Sequence, residues 1–208
     1  MPGDYSNSAH KLEWIGTTTN RIRTVKGEII SPGSDDSYIR APDSANWQLD
    51  GDFTIELWGM KISGDTGRLH ALISQWDGVA DQRAWMFYWD GGKSPKELRF
   101  IGSTEGVNFT IITGGTFEPL IDESHDVACE RSGSTVRIYA DGAMIAKGTL
   151  SGALFDSNVF MQLFRRNGPA DPGDPFNGRI KAYRVTKSVA RYADDAGYTV
   201  PSLPLPKA

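Results

Sequence analysis

The sequence predicts an all-β protein: an antiparallel β-sandwich with an extended N-terminal arm and a Pro-rich C-terminal tail. Three observations predict it. Short apolar runs alternate with polar residues at the period of a half-buried strand. These runs recur at roughly 8–12 residues, separated by turn residues, which is the spacing of a sandwich. The composition, with 23 Gly, 11 Pro and 11% aromatic residues in 208, suits many strands and many turns, and a chain of this length can bury one full core.

The clearest stretch is His125–Lys147. Val127 and Cys129 alternate with Asp126, Ala128 and Glu130; Val136 and Ile138 alternate with Arg137 and Tyr139. Ser132-Gly133-Ser134 separates the two runs, and Asp141-Gly142 follows the second. An Asp-Gly pair between alternating runs predicts a type I′ turn, which needs positive φ at both central residues. The stretch is therefore an antiparallel meander.

Taken in order, residues 1–28 form a polar arm. It carries scattered apolar residues (Tyr5, Leu12, Trp14, Ile15, Ile22) without a sustained period. Trp14-Ile15 favours an arm held by a partner, with the domain running from 29 to 208. Glu28–Ile30 opens the domain, and Ser37–Ala41 is a short strand ended by Pro42. Phe53, Ile55 and Leu57 face the core of a central strand, with Thr54, Glu56 and Trp58 on its other face. Leu69–Trp76, Ala84–Trp89, Lys96–Ile101 and Asn108–Ile112 follow as strands. Thr113–Ser124 and Arg165–Pro175 are long loops, and Phe160–Phe164 and Arg179–Thr186 are the last strands. Ser188–Asp195 is compatible with a turn or two of helix. The tail spans 193–208, and its end, Pro201–Pro206, is expected to run extended along the surface.

On particular motifs the chain resembles laminin-G-like, concanavalin A-like domains. The motifs are the hairpin from Asp126 to Gly142, Asp52–Trp58 upstream and Phe176–Ile180 downstream. The run Arg184–Tyr192, with Tyr198 and the Pro-rich end, is similar to versions of this domain encoded by bacteriophages. The resemblance implies a concanavalin A-like jelly roll, a fold that hosts many functions.

A net charge of −4 argues against a nucleic-acid surface, which needs clustered Lys and Arg. No apolar run is long enough to insert in a membrane. Met1–Tyr5 has neither the basic nor the apolar region of a secretory signal, so synthesis in a host cytoplasm is expected. The single cysteine, Cys129, excludes an intrachain disulfide and reads as a small core residue.

Three candidate sites stand out. Asp35-Asp36, like Asp50/Asp52, is an acidic pair in a loop that could bind calcium, and the resemblance to laminin-G-like domains implies that such a site can lie at the rim of the sandwich. Calcium wants several hard oxygen ligands, and a solvated turn is the plainer reading. Trp76-Asp77 and Trp89-Asp90 each set an indole beside a carboxylate at a loop mouth, an arrangement suited to a sugar. A hairpin over 69–89 would put the two at opposite ends, and the alternation of Trp85, Phe87 and Trp89 marks Trp89 as core. Arg165-Arg166-Asn167 offers adjacent guanidiniums that could clamp an acidic glycan, pair across a subunit interface, or stand solvated.

Catalysis has the thinnest support. A glycoside hydrolase on this fold would place carboxylates two apart on one strand, and Glu56, flanked by Thr54 and Trp58, has none. Glu97, Glu118 and Glu130 also lack a same-face partner in sequence, and His10, His70 and His125 belong to no catalytic motif. The chain is expected not to be an enzyme.

Three functional readings follow. The first is a bacteriophage virion structural protein, a capsid decoration or head-fibre subunit. It would be anchored by residues 1–28 to major capsid or tail subunits and displayed on the virion surface. The second is a tail-fibre module binding host-surface carbohydrate, and the third, weakest, is a glycan hydrolase. Exposed sheet edges need protection, so a homo-oligomer is expected.

Overall fold

The computed structural model describes residues 11–16, 23–64, 66–167 and 173–202. Tyr5, Ile22 and the end of the Pro-rich tail lie outside them. The described residues form strands and no helix. In chain order the strands are β1 (Glu13–Ile15), β2 (Arg23–Val25), β3 (Glu28–Pro32), β4 (Tyr38–Ala41) and β5 (Phe53–Ile62). Then come β6 (Leu69–Asp77), β7 (Gln82–Asp90), β8 (Glu97–Gly102), β9 (Thr110–Thr116) and β10 (His125–Ser132). The last are β11 (Thr135–Ala140), β12 (Ala143–Thr149), β13 (Met161–Leu163), β14 (Asn177–Ile180) and β15 (Ala182–Lys187).

They build two antiparallel sheets. One has the order β1-β4-β13-β6-β7-β8-β9, and the other β12-β11-β10-β5-β14-β3-β2, with β15 also on β5. Phe53, Ile55 and Leu57, each fully buried, face Trp85, Phe87, Trp89 and Phe100 across the interior, with Cys129 among them. Burying side chains of this size stabilises by about 1.5–3 kcal/mol each relative to exposure. The meander is β10-β11-β12, and its turn has φ of 50° at Asp141 and 82° at Gly142, as a type I′ turn requires. At the sandwich side where β9 meets β12, Gly148 lies so close to the Ile112 carbonyl that a Cβ there would collide with it.

At the N-terminal end two short strands join the sheet edges. β1 pairs with β4, setting Trp14 opposite Ile39, and β2 pairs with β3. Residues 13–15 and 23–25 thus extend the two sheets at their edges, and Leu12 packs on the core. The backbone of Trp14-Ile15 pairs with the chain's own β4, while the Trp14 side chain stays exposed, because an edge strand offers unpaired backbone groups to a nearby extended segment.

Residues 188–200 form no helix; they cross the outward face of the second sheet as a strap. Thr54 Oγ1 donates to the Val189 carbonyl and accepts from the Arg191 N–H (2.8 and 3.1 Å). Glu130 accepts from the N–H groups of Tyr192 and Ala193, and the Tyr198 N–H reaches the Gly142 carbonyl at 2.7 Å. The rings of Tyr192 and Tyr198 stack at 3.6 Å, with Tyr139 edge-on to both. Burial first, then nearby carboxylates, hold these three phenols above the ordinary tyrosine value of 10.0. A pKa raised by folding means the native state holds its proton longer. Their contribution to stability is therefore complete below pH 10 and is lost as pH rises beyond it. Unfolding free energy followed from about pH 8 to about pH 11 is expected to fall, and the fall to shrink in Tyr192→Phe.

Candidate functional site

The outward face of the first sheet carries a second apolar cluster, separate from the inter-sheet core. Ala71 and Trp76 of β6, Met86 and Tyr88 of β7, and Ile101 of β8 form it. On β7 these are the positions between the core residues Trp85, Phe87 and Trp89, so both faces of that strand are apolar. Above the cluster opens a cleft of about 310 Å³, walled also by Val79, Arg83, Phe109, Arg166 and Asn167.

Three segments converge on it. The loop after β6 is tied by Asp77, whose Oδ1 accepts from the N–H groups of Val79 and Ala80 at 2.9 and 3.1 Å. Arg83 fastens that loop to the next by donating to Asp81, to the Val107 carbonyl and to the Gly78 carbonyl. Behind β13, Asn167 forms an isolated parallel bridge with Asp77; its N–H reaches the Trp76 carbonyl at 3.0 Å and its Nδ2 reaches Asp77 Oδ2 at 3.1 Å. Phe109 closes the mouth, edge-on to Trp76 at 5.3 Å, and is 52% exposed. Tyr88, nearly buried, lies beside Arg99; burial raises its pKa and the guanidinium opposes that, so the phenol is neutral at physiological pH.

Trp76, Arg166 and Asn167 are brought together. Asp77 belongs to the site as a support: its carboxylate is spent on its own loop and on Asn167 and does not line the cleft. Arg165 and Arg166 do not form a joint clamp. Arg165 lies over the Tyr38 ring at 4.9 Å, while Arg166 pairs with Asp174. Trp89 is core, with its indole N–H on the Phe117 carbonyl at 2.9 Å. Asp35 and Asp36 are exposed in a turn closed by the Ser37 N–H on the Ser34 carbonyl. Among the described residues no three His, Cys, Asp or Glu side chains gather into a metal site.

Glu56 and Glu130, expected to stand apart, share the outward face of the second sheet. The register Glu56↔Ala128 and Thr54↔Glu130 makes them diagonal neighbours, enclosed under the strap. The cleft residues missed in sequence are Leu69, Met86, Tyr88, Ile101 and Phe109. For Met86 and Tyr88 a signal exists: the outward positions of an otherwise core-lining strand are themselves apolar.

A family model described as the concanavalin A-like lectin/glucanases superfamily matches residues 32–194. The chain belongs to this superfamily. No curated protein sequence matches it. Among solved structures, one superfamily-like fold is domain 4 of an extracellular arabinanase from Geobacillus stearothermophilus, in complex with arabinotriose. It has 17% identity and a TM-score of 0.55, covering 90% of this chain and 80% of that one. The carbohydrate-binding module CBM66 from Bacillus subtilis has 16% identity and a TM-score of 0.53, covering 88% and 98%. The binding domain of Paraclostridial Mosquitocidal Protein 1 has 14% identity and a TM-score of 0.61. It covers 91% of this chain, which spans about half, 47%, of that one. At these identities the likeness is one of fold.

Proposed function

We propose that the chain is a non-enzymatic carbohydrate-recognition module of a bacteriophage virion protein, and that it takes a terminal sugar in the cleft. One observation carries the reading. Phe109, 52% exposed and edge-on to Trp76 at 5.3 Å, stands over a 310 Å³ cleft backed by Trp76 and Tyr88, and an exposed ring can stack on the C–H face of a sugar. The volume sits at the small end of ligand sites, about 300–1,000 Å³, which suits a chain end. The carbohydrate-binding relatives in fold support it, and the enclosure of Glu56 and Glu130 under the strap favours binding over hydrolysis. Phe109→Ala, probed on a glycan array and by calorimetry with the best-bound glycan, is expected to weaken binding about tenfold, or ~1.4 kcal/mol. Because Phe109 is half exposed, stability should change by no more than about 1 kcal/mol. Unchanged affinity would move the site elsewhere.

Placement on a virion is supported by the phage-like run Arg184–Tyr192. The arm would then serve assembly: β1 and β2 lie at the edges of both sheets, with Trp14 and Val25 partly exposed. In this reading those edges meet capsid or tail subunits, or a second copy. Hydrogen exchange of residues 11–25 should slow on assembled particles; identical exchange with and without particles would remove the arm's assembly role.

A further inference from the structure

We infer that the cleft takes an acidic sugar of the uronic acid class, and that it holds the sugar's carboxylate between the Trp76 indole N–H and the Arg83 guanidinium. The inference rests on the carbohydrate reading above and deepens it by naming the substrate class.

Its ground is a set of donors that the protein itself leaves unused. Trp76 is 2% exposed, yet among the described residues nothing accepts from its Nε1–H. A buried donor without a partner is costly, and an oxygen brought by a ligand would supply one. The Arg83 guanidinium is only partly spent. Its Nη1 donates to Asp81 and to the Val107 carbonyl, and its Nη2 to the Gly78 carbonyl. Among the described residues that leaves the Nε–H and the other Nη2 hydrogen for a ligand.

Gly78 brings these donors to one place. A Cβ on Gly78 would stand 3.6 Å from Arg83 Nη2, 3.7 Å from Trp76 Nε1 and 3.8 Å from Arg83 Nε. The missing side chain therefore leaves a space ringed by nitrogen donors, and all three residues line the cleft. An oxygen seated a few tenths of an ångström closer to those nitrogens is within hydrogen-bond reach.

A carboxylate suits that space better than a hydroxyl. A hydroxyl brings a hydrogen of its own to a point where donors converge, whereas a carboxylate accepts at both oxygens. Charge favours it too. The described residues lining the cleft include two arginines, Arg83 and Arg166, and no carboxylate. The Asp81 side chain that pairs with Arg83 is 58% exposed, so water screens that pair. Charge-assisted hydrogen bonds from indole and guanidinium are the stronger kind.

The test uses matched sets on the full chain: the methyl glycosides of glucuronic, galacturonic and mannuronic acid, each beside its uronamide and its neutral hexoside. Each is titrated while the Trp76 indole and Phe109 amide resonances are followed in ¹H–¹⁵N spectra. At least one uronide is expected to shift both and to bind on the order of tenfold tighter than its amide and its hexoside. Gly78→Ala should erase that preference while leaving the urea unfolding midpoint in place. Its φ lies outside the left-handed region, and the added methyl meets only ordinary van der Waals contacts. Equal affinities within every set, or an amide that binds as tightly as its acid, overturn carboxylate selection and leave the carbohydrate reading standing. A uronide preference that survives in Gly78→Ala overturns the placement at Trp76 and Arg83. No shift of either resonance with any sugar overturns both readings.

Discussion

Replacing Glu56 by alanine is expected to destabilise the protein by about 3–5 kcal/mol, the cost of breaking a buried ion pair from one side. Glu56 is 1% exposed, and its carboxylate accepts from Arg184 Nε at 2.7 Å and Nη2 at 2.9 Å. It also accepts the Tyr192 hydroxyl. Arg184 is itself only 7% exposed, so alanine at 56 leaves a guanidinium desolvated with no anion beside it and removes the strap's central hydrogen bond. Urea unfolding measures the loss, and limited proteolysis should cut within 188–202 in the variant first. Replacing both partners with apolar residues, Glu56→Leu with Arg184→Met, should cost less than Glu56→Ala, because no charge is then left buried alone. A loss below about 1 kcal/mol for the single change would mean the pair and strap contribute no more than a surface bridge.

That network marks where legibility in the sequence ends. The inward residues of β5 and β10 are legible because alternation is local: Phe53, Ile55 and Leu57 need only the period of two to declare their face. The burial of Thr54, Glu56 and Trp58 on the opposite face is not, since their cover arrives from a segment some 135 positions later, as in the bond from Thr54 to Val189. The proximity of Glu56 to Glu130 fails for a related reason. Carboxylates sought two apart along one strand are here neighbours across two strands, and cross-strand adjacency depends on register, which strand patterns alone do not set.

The cleft is legible in pieces. Trp76 and the Arg166-Asn167 pair are each visible as polar or aromatic residues at loop mouths, yet nothing local joins them. What joins them is the bridge between Asp77 and Asn167, 90 residues apart. Asp77 shows how a residue type misleads. A carboxylate beside an indole suits a sugar, but a carboxylate at the start of a tight loop also caps that loop's N–H groups, and here it does the second.

The two tryptophan-aspartate motifs should therefore separate under mutation. Trp89→Ala is expected to cost about 3–5 kcal/mol of stability while the folded protein keeps its glycan affinity. The Trp89 ring is fully buried, packs against His70 at 5.3 Å and lies under Lys96 Nζ at 5.6 Å. Truncation opens a cavity among Phe176, His70 and the strands around them, and leaves the Phe117 carbonyl without its indole donor. In the register of β6 with β7, Trp89 faces His70 and Trp76 faces Arg83. At about 3.3 Å per residue, the six positions from His70 to Trp76 span roughly 20 Å, too far for the cavity to reach the cleft. Trp76→Ala should cost stability as well, because Trp76 is 2% exposed within the apolar cluster, but unlike Trp89→Ala it should also remove glycan binding, because its ring backs the cleft. Unfolding curves and calorimetric titrations on both variants decide the matter. If Trp89→Ala abolished binding in a protein of unchanged stability, the sugar would sit at the Asp90–Gly92 end of the hairpin, and the aromatic cleft would be packing alone.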